Sequence, residues 1–332
     1  MRRMRGACRS TFAFARAAPI SIAGHFVIST ASSRFSGRTE APASRSWASR
    51  IRAATLSRTS TCLELELEKW TRSLARAGFT RSQWCVRRAW RGVRRGLAAR
   101  GLDLVLLARR AKLLDELAGA LMSAYPIRVR AIASDLADPA FTDELLLVTK
   151  DLDVGLAIYN AGASFAGPFL DRSLVDALRV VDVNVVGPLR FVHALAPALK
   201  ARGRGGLVLM SSMAGFQGAP QLAVYAASKA FNIVFGESLW GELRRDGVDV
   251  LTACAGAIRT PTYAKATTVE ARGMLDARVV AELTLNALGR GPTVVLGGVN
   301  KVALFVLRRL MSRRAVVAMM QRNIAKTVTQ HP

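Results

Sequence analysis

At 332 residues, 51% of them hydrophobic and 21% charged, the chain can bury the core of one large α/β domain and is no disordered polyelectrolyte. The formal charge of +25 points first to nucleic acid, but residues 1–100 carry 21 Lys/Arg against 4 acids, residues 101–282 carry 19 of each, and residues 283–332 carry 8 bases and no acid. The centre is neutral and the basicity belongs to the two ends, so no nucleic-acid partner is expected.

Residues 1–82 read as an extension. The first 60 of them are rich in Arg, Ser and Ala, with their first acid at Glu40. That composition fits an organelle transit peptide, or a stretch never selected to fold. The second reading is preferred, and a cytoplasmic location is expected. Cys8, Cys62, Cys85 and Cys254 form no C-x-x-C pair, so neither a disulfide scaffold nor a metal site is expected.

The texture changes near residue 100. Leu104–Leu107 is an apolar run of strand length, and Lys112–Ser123 carries leucines at helical spacing. Val129–Ile132 reads as a strand, and Asp138-Pro139 opens a helix to about Thr149. Val154–Tyr159 is a third strand, followed by a long helix from Leu174 to Arg202. Strands at Gly206–Ser211, Val248–Cys254 and Thr293–Leu296 alternate with helices at Ala223–Arg244 and Asp276–Leu288. Strands apolar along their whole length, separated by helices, indicate a doubly wound parallel sheet of the Rossmann type. One such domain is expected over residues 83–299. Residues 300–332 are expected to form a basic amphipathic tail, with Leu304, Leu307, Met311, Ala315 and Ala318 at helical spacing over Asn300–Lys326. This tail suits an anionic membrane surface or an acidic substrate, or else docks on the core with a solvated basic face.

Four features then fall in order. Asn160-Ala161-Gly162 closes the third strand, Asn184 lies in the long helix, Ser212 ends a strand, and Tyr225 and Lys229 sit one helical turn apart. With Ala255-Gly256-Ala257-Ile258-Arg259-Thr260 after them, the chain resembles the short-chain dehydrogenase/reductase family over about residues 96–300. The resemblance implies hydride transfer between a nicotinamide cofactor and a carbonyl or alcohol. It implies Tyr225 as general acid/base, Ser212 as donor to the reacting oxygen, Lys229 on the nicotinamide ribose, and Asn184 holding a water in the proton relay. Ser211 is the alternative donor. A tyrosine with pKa near 10 needs help to act at neutral pH, and a lysine ammonium with the positive nicotinamide would lower it.

The resemblance assigns further cofactor contacts to Asn160, Ala161, Gly162, Gly256, Ile258 and Thr260. Ala108-Arg109-Arg110 ends the second strand without an acid. Arg109 there favours the 2′-phosphate of NADP, with NAD the second option. Asp135 and Leu136 stand where the family meets the adenine, a helix cap being the other reading of Asp135. The substrate expected is a small, largely apolar carbonyl or alcohol, since the resemblance puts Met213, Phe216, Leu222 and Tyr263 on segments that border the family's substrate cleft, ordinary loop packing being their other reading. The family also implies a homodimer or homotetramer through the long helices, and Phe231, Val234, Phe235, Leu239 and Trp240 put apolar residues on more than one face of the second.

Three departures stand out. Tyr159 replaces the first Asn of Asn-Asn-Ala-Gly, and Ala255 replaces a proline before Gly256. The third concerns the Thr-Gly-x-x-x-Gly-x-Gly turn, whose backbone N–H groups approach the pyrophosphate. Where it belongs, the chain reads Gln83-Trp84-Cys85-Val86-Arg87-Arg88-Ala89-Trp90. Trp is encoded only by TGG and Cys by TGY, so reading one nucleotide further on forces glycine at 84, and at 90 when Arg91 is a CGN codon. The shifted reading permits Gly-Ala-Ser-Gly-Gly-Leu-Gly over 84–90. The stretch up to about Arg95 is therefore expected to be out of frame, leaving a sheet without a proper first strand and a catalytically impaired protein of this fold.

Overall fold

The computed structural model describes residues 26–31, 97–98, 100–259 and 271–328. Every residue of β2 (Leu104–Ala108) is buried. Its side chains alternate, with Leu104, Leu106 and Ala108 facing one core layer and Val105 and Leu107 the other. This is the period-two signature of a strand covered on both sides. Helix α1 (Ala111–Ala124) buries Leu114, Ala118 and Leu121 on one stripe. After β3 (Val129–Ala133), α2 (Phe141–Thr149) does the same with Phe141, Leu145 and Thr149. Then come β4 (Asp153–Tyr159), α3 (Leu174–Val181) and α4 (Gly187–Ala201). Strand β5 (Gly205–Ser212), α5 (Ala223–Leu243) and β6 (Val248–Ala255) complete the centre. The short pair β7 (Ile258–Arg259) and β8 (Leu275–Asp276) precedes α6 (Ala277–Ala287) and β9 (Thr293–Val295).

With β1 (Phe26–Ala31), the seven-stranded sheet runs β3-β2-β1-β4-β5-β6-β9, a doubly wound Rossmann-type arrangement. All neighbours pair in parallel except at β1, which is antiparallel to both β2 and β4, with Phe26 opposite Leu107 and Tyr159. The parallel sheet expected from the sequence is observed, and the slot of its expected missing first strand is filled by β1 in the antiparallel direction. The edges of β2 and β4 need backbone partners when buried, and the β-branched segment containing Val27, Ile28 and Thr30 supplies them from the opposite direction. The chain therefore enters β1 at the edge of the sheet where the parallel strands end. It leaves at the other edge.

Two expected helices are interrupted. The span 174–202 contains a π-turn at Asp182–Val186 between α3 and α4. The C-terminal helix is two helices, α7 (Gly298–Arg309) and α8 (Arg313–Val328). The break falls before Ser312, whose Oγ accepts from the N–H of Ala315 at 3.3 Å and whose carbonyl accepts from that of Val316. That capping starts a new helix rather than continuing the old one.

Candidate active site

The carboxyl ends of β4, β5 and β6 share one edge of the sheet, and Ser212 is in register with Ala255 there. The two neighbouring serines divide cleanly. Ser211 is buried and its Oγ donates to the carbonyl of Lys229 at 2.7 Å. Ser212 keeps solvent contact. Its Oγ accepts from the N–H of Ala214 at 3.2 Å and is hydrogen-bonded to Tyr225. The geometry brings Ser212, not Ser211, to the tyrosine. Gly215 sets the approach of this loop to α5, because a Cβ there would lie 2.7 Å from the carbonyl carbon of Lys229.

Tyr225 and Lys229 lie on one face of α5, with Nζ 5.8 Å from the tyrosine ring centroid. Burial pushes the Tyr225 phenol above its ordinary value, and the Ser212 hydrogen bond pulls it back. The downward pull expected from Lys229 does not dominate here, because desolvation of the phenolate is the larger effect. Lys229 is itself buried, which lowers its ammonium to about 8. Its Nζ donates to the carbonyl of Met210 at 3.0 Å. Two of its three N–H bonds are left without an acceptor among the described residues.

Asn184 is fully buried on the π-turn. Its Oδ1 accepts from the N–H of Ala163 at 2.7 Å, and its Nδ2 donates to the carbonyl of Ala163 and to Ser228 Oγ, both at 2.9 Å. These bonds clamp the segment after β4 that carries Asn160, Ala161 and Gly162. The backbone carbonyl of Asn184 accepts from Asn232 Nδ2 at 2.7 Å. Ser228 and Asn232 were not singled out from the sequence, although their spacing of three and seven from Tyr225 was the signal available. Tyr159, a mere departure in the sequence, donates its hydroxyl to the carbonyl of Val183 inside the π-turn. Such turns leave carbonyls needing a partner and recur at functional sites.

The adenine side is less open than expected. Arg109 is exposed at the end of β2 and acts electrostatically on Asp135. Burial raises the Asp135 carboxyl, but hydrogen bonds from Arg179 and from the N–H of Ala137 hold it below its ordinary value. Asp135 is thus an ion-pair residue that also accepts from a turn N–H two residues on, rather than a helix cap, and is already engaged where the sequence offers it to adenine. Leu136 is 3% exposed with its side chain in the core, so only its backbone can face a ligand.

At β6, Asn300 of α7 was also missed, since an asparagine in a basic helix reads as solvated. It is buried and donates to the carbonyls of Leu296 at 2.8 Å and Gly273 at 3.1 Å. A Cβ on Gly256 would come within 2.8 Å of its amide. The turn that Ala255 leaves without its proline is therefore packed against Asn300, and it leads on to Ile258. Thr260, Tyr263 and the 83–95 stretch lie outside the described residues.

A dinucleotide can be tested against this edge in two halves. The spare N–H bonds of Lys229 fit ribose hydroxyls, and Gly162 keeps the space beside it free, since a Cβ there would touch Nζ at 3.5 Å. For the diphosphate half, a ligand phosphate at the switch point between β1 and β4 needs a parallel strand turning into a helix N-terminus; among the described residues β1 occupies that slot antiparallel to both neighbours.

Residues 91–271 match the family model for short chain dehydrogenase. A 7beta-hydroxysteroid dehydrogenase of Clostridium sardiniense is 31% identical over 169 residues, 51% of this chain and 65% of that protein. A very-long-chain 3-oxoacyl-CoA reductase of Podospora anserina is 36% identical over 159 residues, 46% of this chain and 47% of the relative. The chain thus spans between 47% and 65% of the length of these curated relatives. Among solved structures, one concerning 7beta-hydroxysteroid dehydrogenase stereoselectivity aligns with a TM-score of 0.65 at 25% identity, covering 70% of this chain and 93% of that one. An L-sorbose reductase from Gluconobacter frateurii, complexed with NADPH and L-sorbose, aligns with a TM-score of 0.57 at 21% identity over 62% of this chain and 90% of that one. At that identity the likeness is one of fold.

Proposed function

The chain belongs to the short chain dehydrogenase family, and from that premise we propose that its site reduces a carbonyl, or oxidises the corresponding alcohol, on a largely apolar substrate. The observation that carries this reading is the hydrogen-bonded pair Ser212–Tyr225 beside a buried lysine with two spare N–H bonds. When bound, a nicotinamide supplies or takes up the hydride. The Tyr225 hydroxyl gives its proton to the substrate oxygen, or removes it in the reverse direction. Ser212, held from behind by the Ala214 N–H, donates to that oxygen as charge develops on it. Lys229 orients the ribose. Asn184 keeps Gly162 in place through Ala163.

A ketosteroid or a 3-oxoacyl thioester is the substrate class that the two relatives suggest, and Met213, Phe216 and Leu222 supply apolar walls to the same loop. Arg109 supports NADP over NAD, by its guanidinium at the end of β2. A subunit interface through α4 and α5 is supported by exposed Leu189 and Val234. A location in the cytoplasm is consistent with this reading; among the described residues no helix is long and apolar enough to cross a membrane. A carbonyl-reduction screen with NADPH and NADH tests the proposal. Turnover of neither substrate class by a chain that binds NADPH would reject it.

The direction of β1 favours a second reading, that the chain as read is impaired. Leu97 and Ala98 are helical and buried, and the N–H groups of Arg100 and Leu102 close on the carbonyl of Leu97 before β2 begins. These residues have the form of the last turn of a crossover helix. Such a helix starts at the site edge and follows a parallel strand in the slot that β1 fills backwards. The shifted reading of codons 84–90 permits the glycine turn that this connection requires. Sequencing the gene decides between the two: if codons 84–90 read one nucleotide on give no glycine-rich turn, the second reading fails.

A further inference from the structure

We propose that the outer face of α7, together with the basic residues of α7 and α8, docks on an anionic lipid surface. Helix α7 buries Asn300 and half-buries Leu304 and Leu307. Its other side leaves Val299 59%, Val302 65% and Phe305 60% exposed, with Leu310, just past its end, 69% exposed. The first three recur every three residues, so they form one apolar stripe along the helix. Lys301, Arg308, Arg309, Arg313 and Arg314 are exposed around it. The last acid of the chain before them is Glu282, and none follows.

Charge selects the occupant. A second copy related by a two-fold axis would bring the same all-basic face against itself. A nucleic acid would use the arginines and leave the apolar stripe in water. An anionic bilayer uses both, with the valines, Phe305 and Leu310 at the headgroup boundary and the guanidinium groups on phosphates. Helix α7 has 12 residues, about 18 Å of helix, which lies on a bilayer rather than crossing its ~30 Å core.

The face also adjoins the site. The Arg308 guanidinium lies 5.6 Å from the ring centroid of Phe216, and Gln217 Nε2 contacts Met320 Sδ of α8 at 3.9 Å. Both Phe216 and Gln217 belong to the loop after Ser212. An apolar substrate dissolved in the bilayer would therefore reach the cleft from the docked side. That last step rests on the proposed reaction, whereas the docking itself does not.

Sedimentation of the full chain with vesicles tests the docking. Binding is expected to mixed phosphatidylcholine–phosphatidylglycerol vesicles, to fall with added salt, and to be weak to phosphatidylcholine alone. Val302→Glu with Phe305→Glu is expected to abolish it. Arg313→Gln with Arg314→Gln is expected to weaken it roughly tenfold or more. All four positions are exposed, so both variants should melt as the parent does. Equal binding to neutral vesicles, or binding unchanged in both variants, overturns the proposal. So does a Phe305→Glu variant that turns a dimer into a monomer by light scattering, because the face is then a subunit contact. NADPH turnover in detergent-free buffer is a separate measurement, so loss of the docking and loss of the proposed reaction are distinguishable.

Discussion

The two halves of the site edge differ in how they are held. At the substrate half, Asn184, Ser228, Asn232 and Tyr159 connect β4, the π-turn and α5 by buried hydrogen bonds, and Asn300 ties α7 to the carbonyls of Leu296 and Gly273. At the diphosphate half, β1 gives its neighbours backbone partners but runs antiparallel to them, so among the described residues the switch point has no parallel strand leading into a helix. Satisfying a sheet edge and building a ligand site are therefore separate achievements. Any β-prone segment can do the first, in either direction. Only a parallel strand followed by glycines can do the second.

The sharpest way to break this comparison is to exchange the weak half. A chain carrying the shifted reading over residues 84–95 is expected to bind NADPH at least ~10²-fold more tightly than the chain as read, because backbone N–H groups and a helix N-terminus then face the diphosphate. Fluorescence enhancement of NADPH measures it. Equal affinity of the two chains would mean that β1 does not disable the site.

The strong half is probed by its central hydroxyl. In whichever chain turns over, Tyr225→Phe is expected to lower kcat by at least ~10²-fold while leaving cofactor affinity nearly intact, since only the titrating group is lost. Retention of a tenth of the parent rate would remove Tyr225 from its role.

Lys229 sharpens the contrast between function and stability. Its ammonium is lowered from 10.5 to about 8 by burial. The unfolded chain therefore holds this proton more tightly, and the contribution to stability rises with pH between about 8 and 10.5. The shift corresponds to about 3 kcal/mol of strain at neutral pH. The thiol of Cys254, pushed up to about 12 by burial, works in the opposite direction above pH 9, so the lysine is isolated by difference. Lys229→Met is expected to be more stable than the parent at pH 7, with the gap closing toward pH 10, and to be inactive. A variant less stable at pH 7 would show that the ammonium is compensated in the fold.

Much of this fold is legible in the sequence. Apolar runs such as Leu104–Leu107 became strands because strands covered on both faces have no polar positions to disguise them. Ser212, Tyr225 and Lys229 were legible because their spacing along a strand end and one helical turn is itself the geometry. Three things were not. The direction of β1 is invisible, since side-chain alternation reads the same in either direction. The break before Ser312 looked like continuous periodicity, and local capping decided it. The engagement of Asp135 by Arg179 joins residues 44 apart, and no local pattern reports such a contact.

The smallest expected effect tests how the strong half is tied together. The Tyr159 hydroxyl donates to the carbonyl of Val183, and a Cβ on Gly187 would overlap that hydroxyl. Tyr159 is almost fully buried among Phe191 and its neighbours, so its ring has nowhere to retreat. Tyr159→Phe is expected to cost about 1–3 kcal/mol, by leaving the Val183 carbonyl without its donor. Gly187→Ala is expected to cost about 1–3 kcal/mol by overpacking. In the Tyr159→Phe background the overlapping oxygen is gone and the next atoms lie 3.2 Å away, so Gly187→Ala should then cost much less. The double variant should therefore be more stable than the sum of the two single losses implies, by about 1 kcal/mol or more. Urea unfolding of the four chains measures the coupling. If the losses simply add, the hydroxyl and the glycine act independently, and the π-turn that carries Asn184 is held by something other than their fit.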